Sequence, residues 1–425
     1  MRMSVIIFGF FLSVSASSRE TQYPLKGGAV IPLNDSRSIF NFRCVHETLP
    51  ESSVEVNLLF NYARWLQIST KLDPVESITS EIERLYRIAS ENGHIKANIN
   101  LQNGALRSQF HLKANEQLRM SQQLISENVA TGYLLIGFFL RDGVAGLAQD
   151  PEMALRYIRK AAEEGNAQAQ YEVGEKLAPI RIAPEVARQL RTCAAKQGHG
   201  KAARSLGVNL STKKLYGEAM EAFQLGIAAG DSISASFMSK GFLGPSPQDR
   251  LHYLGQHADT GRADRYMKVW NILSDYSFAN PNVPEINDII PLPPADLPEW
   301  DGKLQWLETY LANVPPEKPS EALITRLAEA KGLDPLTGKP LPGSPAFSQE
   351  DLYPRRSYTG ELCPTSGYWT NIELFRECAV DGPIARYIEK GEVMPPLLMR
   401  HYKRRHWPWS DKITEYVEPV EWKLV

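Results

Sequence analysis

The chain has 425 residues, with 47 basic and 49 acidic side chains and a net charge of −2. That length allows two domains or one long repeat array with additions, and the balanced charge lacks the basic excess on which nucleic-acid binding depends. Hydrophobic residues make up 43% of the chain, the composition of a soluble protein.

Arg2 precedes the apolar run Val5–Leu12, and Val14-Ser-Ala16 offers small residues where a signal peptidase cuts. This pattern predicts a signal peptide over 1–16; the other reading is a buried N-terminal helix. The run is too short for a permanent membrane anchor, so no stable membrane insertion is expected. Export permits disulfides. Of the four cysteines, Cys363 and Cys378 lie 15 residues apart and are the expected pair. Cys193 stands where a repeat helix wants a small core residue, so a buried thiol is expected there. Cys44 stays open between the two. Their spacing fits no metal site.

Residues 17–52 read as an extended arm, with Phe40-Asn-Phe-Arg-Cys-Val-His-Glu47 as its landmark. From 53 to 72 the apolar residues Leu58, Leu59, Tyr62 and Leu66 share one helical face. Beyond them a glycine keeps returning, at Gly93, Gly165, Gly198, Gly230 and Gly261, with Val129 at the same phase. The spacings are 36, 36, 33, 32 and 31 residues. A fixed period in this range means one supersecondary unit stacked on copies of itself. The clearest copy predicts its own boundaries: Asp150 as N-cap, Pro151 in the first turn, Gly165 as the stop. Three residues before the marker the side chain is small at Ser90, Ser126, Ala162, Ala195 and Ala258, with Ile227 as the exception. Gly174 and Gly207, nine residues after a marker, are candidates for close helix contact. The unit is helix, glycine turn, helix, over 53–275.

Residues 150–174, Asp-Pro-Glu-Met-Ala-Leu-Arg-Tyr-Ile-Arg-Lys-Ala-Ala-Glu-Glu-Gly-Asn-Ala-Gln-Ala-Gln-Tyr-Glu-Val-Gly, resemble a Sel1-like repeat, a relative of the tetratricopeptide repeat. The likeness is strongest over 127–207. It implies a mostly α fold, a right-handed αα-solenoid of about six repeats that serves as a protein-binding scaffold and not as a catalyst.

Twenty of the 29 prolines lie from 281 onward, six of them within 281–298. Proline removes backbone donors and favours extended chain, so 276–300 is expected as a strap or boundary and 301–425 as a small α+β domain. Two short helices are expected at 301–313 and 319–332. Past 345, Cys363-Pro-Thr-Ser-Gly-Tyr-Trp369, Gly391-Glu-Val-Met-Pro395 and His406-Trp-Pro-Trp409 suggest a β-rich module. Pro291-Leu-Pro-Pro-Ala-Asp-Leu-Pro-Glu-Trp-Asp-Gly302 resembles the start of an uncharacterised domain attached to bacterial Sel1-like proteins. The Cys-Pro-x-Ser-Gly-x-Trp and Gly-Glu-x-Met-Pro elements resemble a module of bacterial immunity proteins, and Phe40–Cys44 and Leu59-Phe-Asn-Tyr-Ala-Arg-Trp65 fit the same group. With the leader, the architecture is similar to periplasmic immunity proteins paired with type VI secretion effectors of the phospholipase D class.

No phosphate loop, nucleophile elbow or His-Glu-x-x-His motif occurs. His252 and His257 are read as five apart on a helix, on different faces. His94 and His199 follow marker glycines and are read as turn residues. Ser366 is read as a turn serine bonding its own backbone. No catalytic residue, cofactor or metal site is therefore assigned. The densest charged and aromatic cluster holds Arg400, Tyr402, Arg404, Arg405, Trp407 and Trp409. Such residues dominate interface hot spots, so they are the candidate partner contacts; packing of the tryptophans within the small domain and contact with acidic lipid head groups are the other readings. The resemblance implies a periplasmic immunity protein that sterically inhibits a lipase effector. A periplasmic adaptor or scaffold for envelope assembly or signalling is the alternative, and a hydrolase in the C-terminal domain is a third.

Overall fold

The computed structural model describes residues 42–70, 75–178, 183–347, 356–364, 366–370, 379–380, 385–403, 412–418 and 421–424. The leader, Cys378 and residues 404–411 lie outside the described residues. Helix α1 (Val54–Ser69) leads into five helix pairs: α2 (Glu76–Glu91) with α3 (Ile95–Leu106), α4 (Ala114–Ser126) with α5 (Thr131–Asp142), α6 (Pro151–Glu163) with α7 (Ala167–Leu177), α8 (Pro184–Lys196) with α9 (Gly200–Thr212), and α10 (Tyr216–Ala228) with α11 (Ser232–Phe242). Helix α12 (Thr260–Asp275) closes the array. Consecutive helices pack on one another along its length, which makes an αα-solenoid.

The turn within each pair is built as its sequence implies. Gly165 adopts φ +103°, its N–H donates to Ala162 O, and the Asn166 N–H donates back to Ala161 O. This double bond satisfies carbonyls that a helix end leaves orphaned, and it needs a left-handed residue at the glycine. The next residue then caps the following helix. Asn166 Oδ1 accepts from Ala169 N at 2.9 Å, His94 Nδ1 from Ala97 N at 3.1 Å, His199 Nδ1 from Ala202 N at 3.1 Å, and Asp231 Oδ2 from Ser234 N at 2.9 Å. Asp150 caps α6 as expected, accepting from Met153 N at 2.9 Å.

Two markers are corrected. In the second copy the left-handed residue is Asn128 (φ 60°), not Val129, which is fully buried. Asparagine tolerates this conformation far better than a β-branched residue. With that phase Gly137 falls nine residues on, like Gly174 and Gly207, and a Cβ on it would lie 2.7 Å from Ile158 Cγ1. Gly261 ends no helix: it sits in the first turn of α12, which Asp259 caps. The connection from Leu243 to Asp259 is longer than its counterparts and carries no helix, so the next helix arrives late and periodicity alone misplaces it. His252 and His257 therefore lie in this connection and not on a helix, with His252 Nδ1 3.0 Å from Asp249 Oδ2.

The proline-rich stretch turns back along the last helices. It holds a short 3-10 turn (Ser277–Ala279) and α13 (Ile286–Ile289). Val283, Ile286 and Ile290 are fully buried against α10 and α12, each burial worth about 1.5–3 kcal/mol. Arg262 donates to the carbonyls of Pro291 and Ala295, and Arg265 to those of Ile289 and Pro298. Prolines leave their carbonyls available but cannot donate, so arginines of α12 supply the donors.

The two expected helices appear as α14 (Gln305–Ala312) and α15 (Glu321–Glu329), and they join the ends of the solenoid. Trp306 and Tyr310 of α14 pack on Tyr276, just past α12. Asn313 Oδ1 then accepts from Trp65 Nε1 at 2.9 Å and from Ser69 Oγ at 3.0 Å on α1. Ile324, Leu327, Ala328 and Leu333 complete the hydrophobic core of α1–α4. Arg84, buried on α2, donates to Pro335 O and pairs with Glu321 at 2.7 Å.

Beyond residue 355 the described residues form two antiparallel sheets: β1 (Arg356–Tyr358), β7 (Glu421–Leu424), β2 (Gly367–Thr370) and β4 (Ala385–Ile388) in that order, and β3 (Ala379–Val380), β5 (Leu397–Lys403) and β6 (Lys412–Glu418). Trp369 and Trp422 are buried, and Trp422 Nε1 donates to Pro395 O at 2.7 Å.

Candidate partner-binding surface

The arm runs across the turn edges of the middle repeats, against the order of the solenoid. Phe42 packs with α6–α8 residues, and Leu49 packs near α4 and α5. Cys44 forms a disulfide with Cys193 on α8, 149 residues away, with Cα atoms 5.6 Å apart. This corrects the expected buried thiol. Cys193 is buried, as its helix position requires, but what covers it is the arm. Nothing local in sequence signals a partner that distant.

Between these cysteines and the loop to α1, polar contacts hold the arm. Val45 O accepts from Gln170 Nε2 at 2.9 Å, and Glu47 N donates to Gly165 O at 3.1 Å. The Glu47 carboxylate accepts from Thr131 N at 2.6 Å, from Thr131 Oγ1 at 2.9 Å, and from Asn166 Nδ2 at 3.1 Å. Neither Val129 nor Ala130 has a side chain able to cap α5, and the arm supplies the missing acceptor.

Arm and helices together form an open groove of about 510 Å³. Phe42 and the disulfide form one wall, Arg188, Gln189 and Lys196 of α8 a second, and Glu218, Glu221 and Leu225 of α10 a third. Leu206 and Leu210 of α9 lie at its floor. Leu225 is 40% exposed. Apolar positions ringed by both charges have the make-up of a protein-binding surface, an apolar centre with a polar rim. The sequence reading missed these residues; Phe42 and Cys44 lay in its landmark segment, but their meeting with α8 is a long-range event.

The candidate contacts in the C-terminal module are only partly placed. Arg400 and Tyr402 lie two apart on β5, in register with Glu415 and Ile413 of β6. Arg404, Arg405, Trp407 and Trp409 lie outside the described residues. The two short motifs of this module do come together. Cys363 N donates to Glu392 O at 2.6 Å, Gly391 N to Cys363 O at 2.8 Å, and Met394 N to Glu361 O at 2.8 Å. Ser366 Oγ accepts from Lys390 N at 2.9 Å, so its bond is to the facing turn and not to its own backbone. Cys363 is buried; its expected pairing with Cys378 falls outside the described residues.

His94 and His199 do structural work. Burial, with the nearby Lys96 and Lys201 charges adding to it, pushes both down to about 4, so both are neutral at pH 7. Each ring accepts at Nδ1 and stacks on an aromatic, Phe60 or Tyr171. The one cluster with metal-ligand atoms close together among the described residues is Cys44, His46 and Cys193, and its two sulfurs are bonded to each other. A disulfide offers no thiolate to a metal.

Helix pairs joined by capped, left-handed turns define the chain as an αα-solenoid protein. A family model described as a domain of unknown function, DUF6396, matches residues 234–341. That match begins within α11 and includes the Pro291–Gly302 segment. No curated protein matches the chain. Among solved structures, the chain is similar to an immunity protein, PA5088, from Pseudomonas aeruginosa, at 24% identity over 60% of this chain and 94% of that one, with a TM-score of 0.47. A second Pseudomonas aeruginosa protein, PA5086, is 23% identical over 60% of this chain and 95% of its own, with a TM-score of 0.45. A Sel1 repeat protein from Oxalobacter formigenes is 18% identical over 51% of this chain and 86% of its own, with a TM-score of 0.36. The solenoid assignment itself rests on the chain's own helix pairs and turns. No helix among the described residues is long and apolar enough to cross a membrane.

Proposed function

We propose that the chain is an exported immunity protein that binds a toxin and blocks it sterically. The observation that carries this reading is the Cys44–Cys193 disulfide, which fastens the arm across the repeats beside an open groove. Disulfides of this kind belong to oxidising compartments, in keeping with a leader over 1–16 and a periplasmic location. The arm, the Leu59–Trp65 stretch of α1 and the motif pair at Cys363 and Gly391 are the segments whose sequence resembles immunity proteins, and their described residues are built into the framework rather than left as loose tails. The partner is a type VI secretion lipase effector of the phospholipase D class. The groove and β5 would cover its substrate cleft, with tight binding drawn from charge complementarity and a few apolar anchors.

Periplasmic co-expression with a type VI secretion lipase effector of the phospholipase D class tests the proposal. Cells should survive, and a stoichiometric complex should elute from a sizing column. Unchanged killing with no complex would reject it and leave the adaptor reading.

A further inference from the structure

The two ends of the solenoid line a second, partly open cavity of about 310 Å³. Arg64 and Gln67 come from α1, Ile82 from α2, Arg107 and Phe110 from the turn after α3, and Phe278 from the turn after α12. No carboxylate is among the described lining residues, and neither arginine forms an ion pair among the described residues. Arg64 gives Nη1 to the neutral Gln67 Oε1 at 2.8 Å. Most arginines on the helices nearby are paired otherwise: Arg84 with Glu81 and Glu321, Arg87 with Glu83 and Glu116, Arg119 with Glu91. Among the described lining residues the two guanidiniums meet no acid, and Ile82, Phe110 and Phe278 add apolar surface beside the polar Thr70, Thr79 and Asn280.

We propose that this seam cavity binds a small amphipathic carboxylate. Arg64 and Arg107 would take the carboxylate, for which the planar guanidinium is suited by geometry. Ile82, Phe110 and Phe278 would cover the apolar body. The volume is at the lower end of small-ligand pockets, which fits a short-chain acid rather than a lipid. Because the walls come from both ends of the solenoid, the ligand would also tie those ends together. This site stands apart from the immunity reading and does not depend on it.

Thermal unfolding of the full chain at constant ionic strength tests this, with sodium hexanoate as the probe. Hexanamide is the uncharged control and sodium phosphate the control for anions without an apolar body. Hexanoate should raise the midpoint by about 2 °C at tenfold excess over its Kd, and neither control should match it. The rise should vanish in Arg64→Gln and in Arg107→Gln. Arg107 is exposed, so its variant keeps the fold. No rise with hexanoate, an equal rise with either control, or a rise that survives in either variant would each overturn the proposal.

Discussion

The carboxylate of Glu47 caps a helix that begins 84 residues later, accepting from the backbone N–H of Thr131 at 2.6 Å. Every other pair but this one has a capping side chain at the start of its second helix: His94, Asn166, His199 or Asp231. A contact usually made within one turn has become a tie between the arm and the array. Replacing Glu47 with Ala should cost about 1–2 kcal/mol, the range of a lost N-cap strengthened by charge. Glu47→Gln keeps an acceptor and should cost less. Urea midpoints at constant m-value measure both.

Acid should weaken the solenoid through its capping histidines. His94 in the folded chain sits at about 4, below the ordinary 6.5, chiefly because it is buried. The unfolded chain therefore binds more protons between those values, and stability present above pH 6.5 is lost as the pH falls towards 4. Protonation also puts a hydrogen on the nitrogen that accepts from Ala97. The loss is on the order of 2–3 kcal/mol for His94. Asparagine holds the corresponding place at Asn166, so His94→Asn should keep the cap and flatten this part of the pH–stability curve. An unchanged slope in urea titrations at pH 7 and 4.5 would refute the assignment.

The marker glycines should differ in what they tolerate. Gly198 has φ +83° and open space where a Cβ would go. Gly230 has the same φ, but its Cβ would collide with the Pro281 carbonyl of the strap. Gly198→Ala should cost about 1 kcal/mol, the strain of a left-handed alanine. Gly230→Ala should cost clearly more, because the strap must move as well. Equal losses in denaturant melts would show that the strap does not press on this turn.

Reduction should loosen the arm. Removing a native disulfide typically costs 2–5 kcal/mol, so dithiothreitol should lower the melting point, and a Cys44→Ser, Cys193→Ser double variant should melt at that lower value with or without reductant. A variant that melts like the oxidised protein would leave the disulfide with no part in stability.

What could be read in the sequence was what is local. Asp150, Pro151 and Gly165 act within a turn of where they stand, and the structure puts them where their chemistry implies. Asn128 was overlooked because a neighbouring Val129 kept a simpler period, although its type is one that accepts a left-handed backbone. Gly261 misled because spacing does not record which end of a helix a glycine occupies. The groove walls and the Cys44–Cys193 bond escaped notice because they join residues that only the completed stack brings together.

A stack of repeats ordinarily touches only its neighbours and can gain or lose copies at little cost. Here α14 and α15 link the last helix to the first, from Tyr276 through Asn313 to Arg84. Duplicating or deleting one helix pair would move Trp65 away from Asn313 by the thickness of a repeat and leave the return segment either stranded or too short. The copy number is thus fixed by a clasp, and such a chain is expected to evolve by changing surfaces rather than by growing longer.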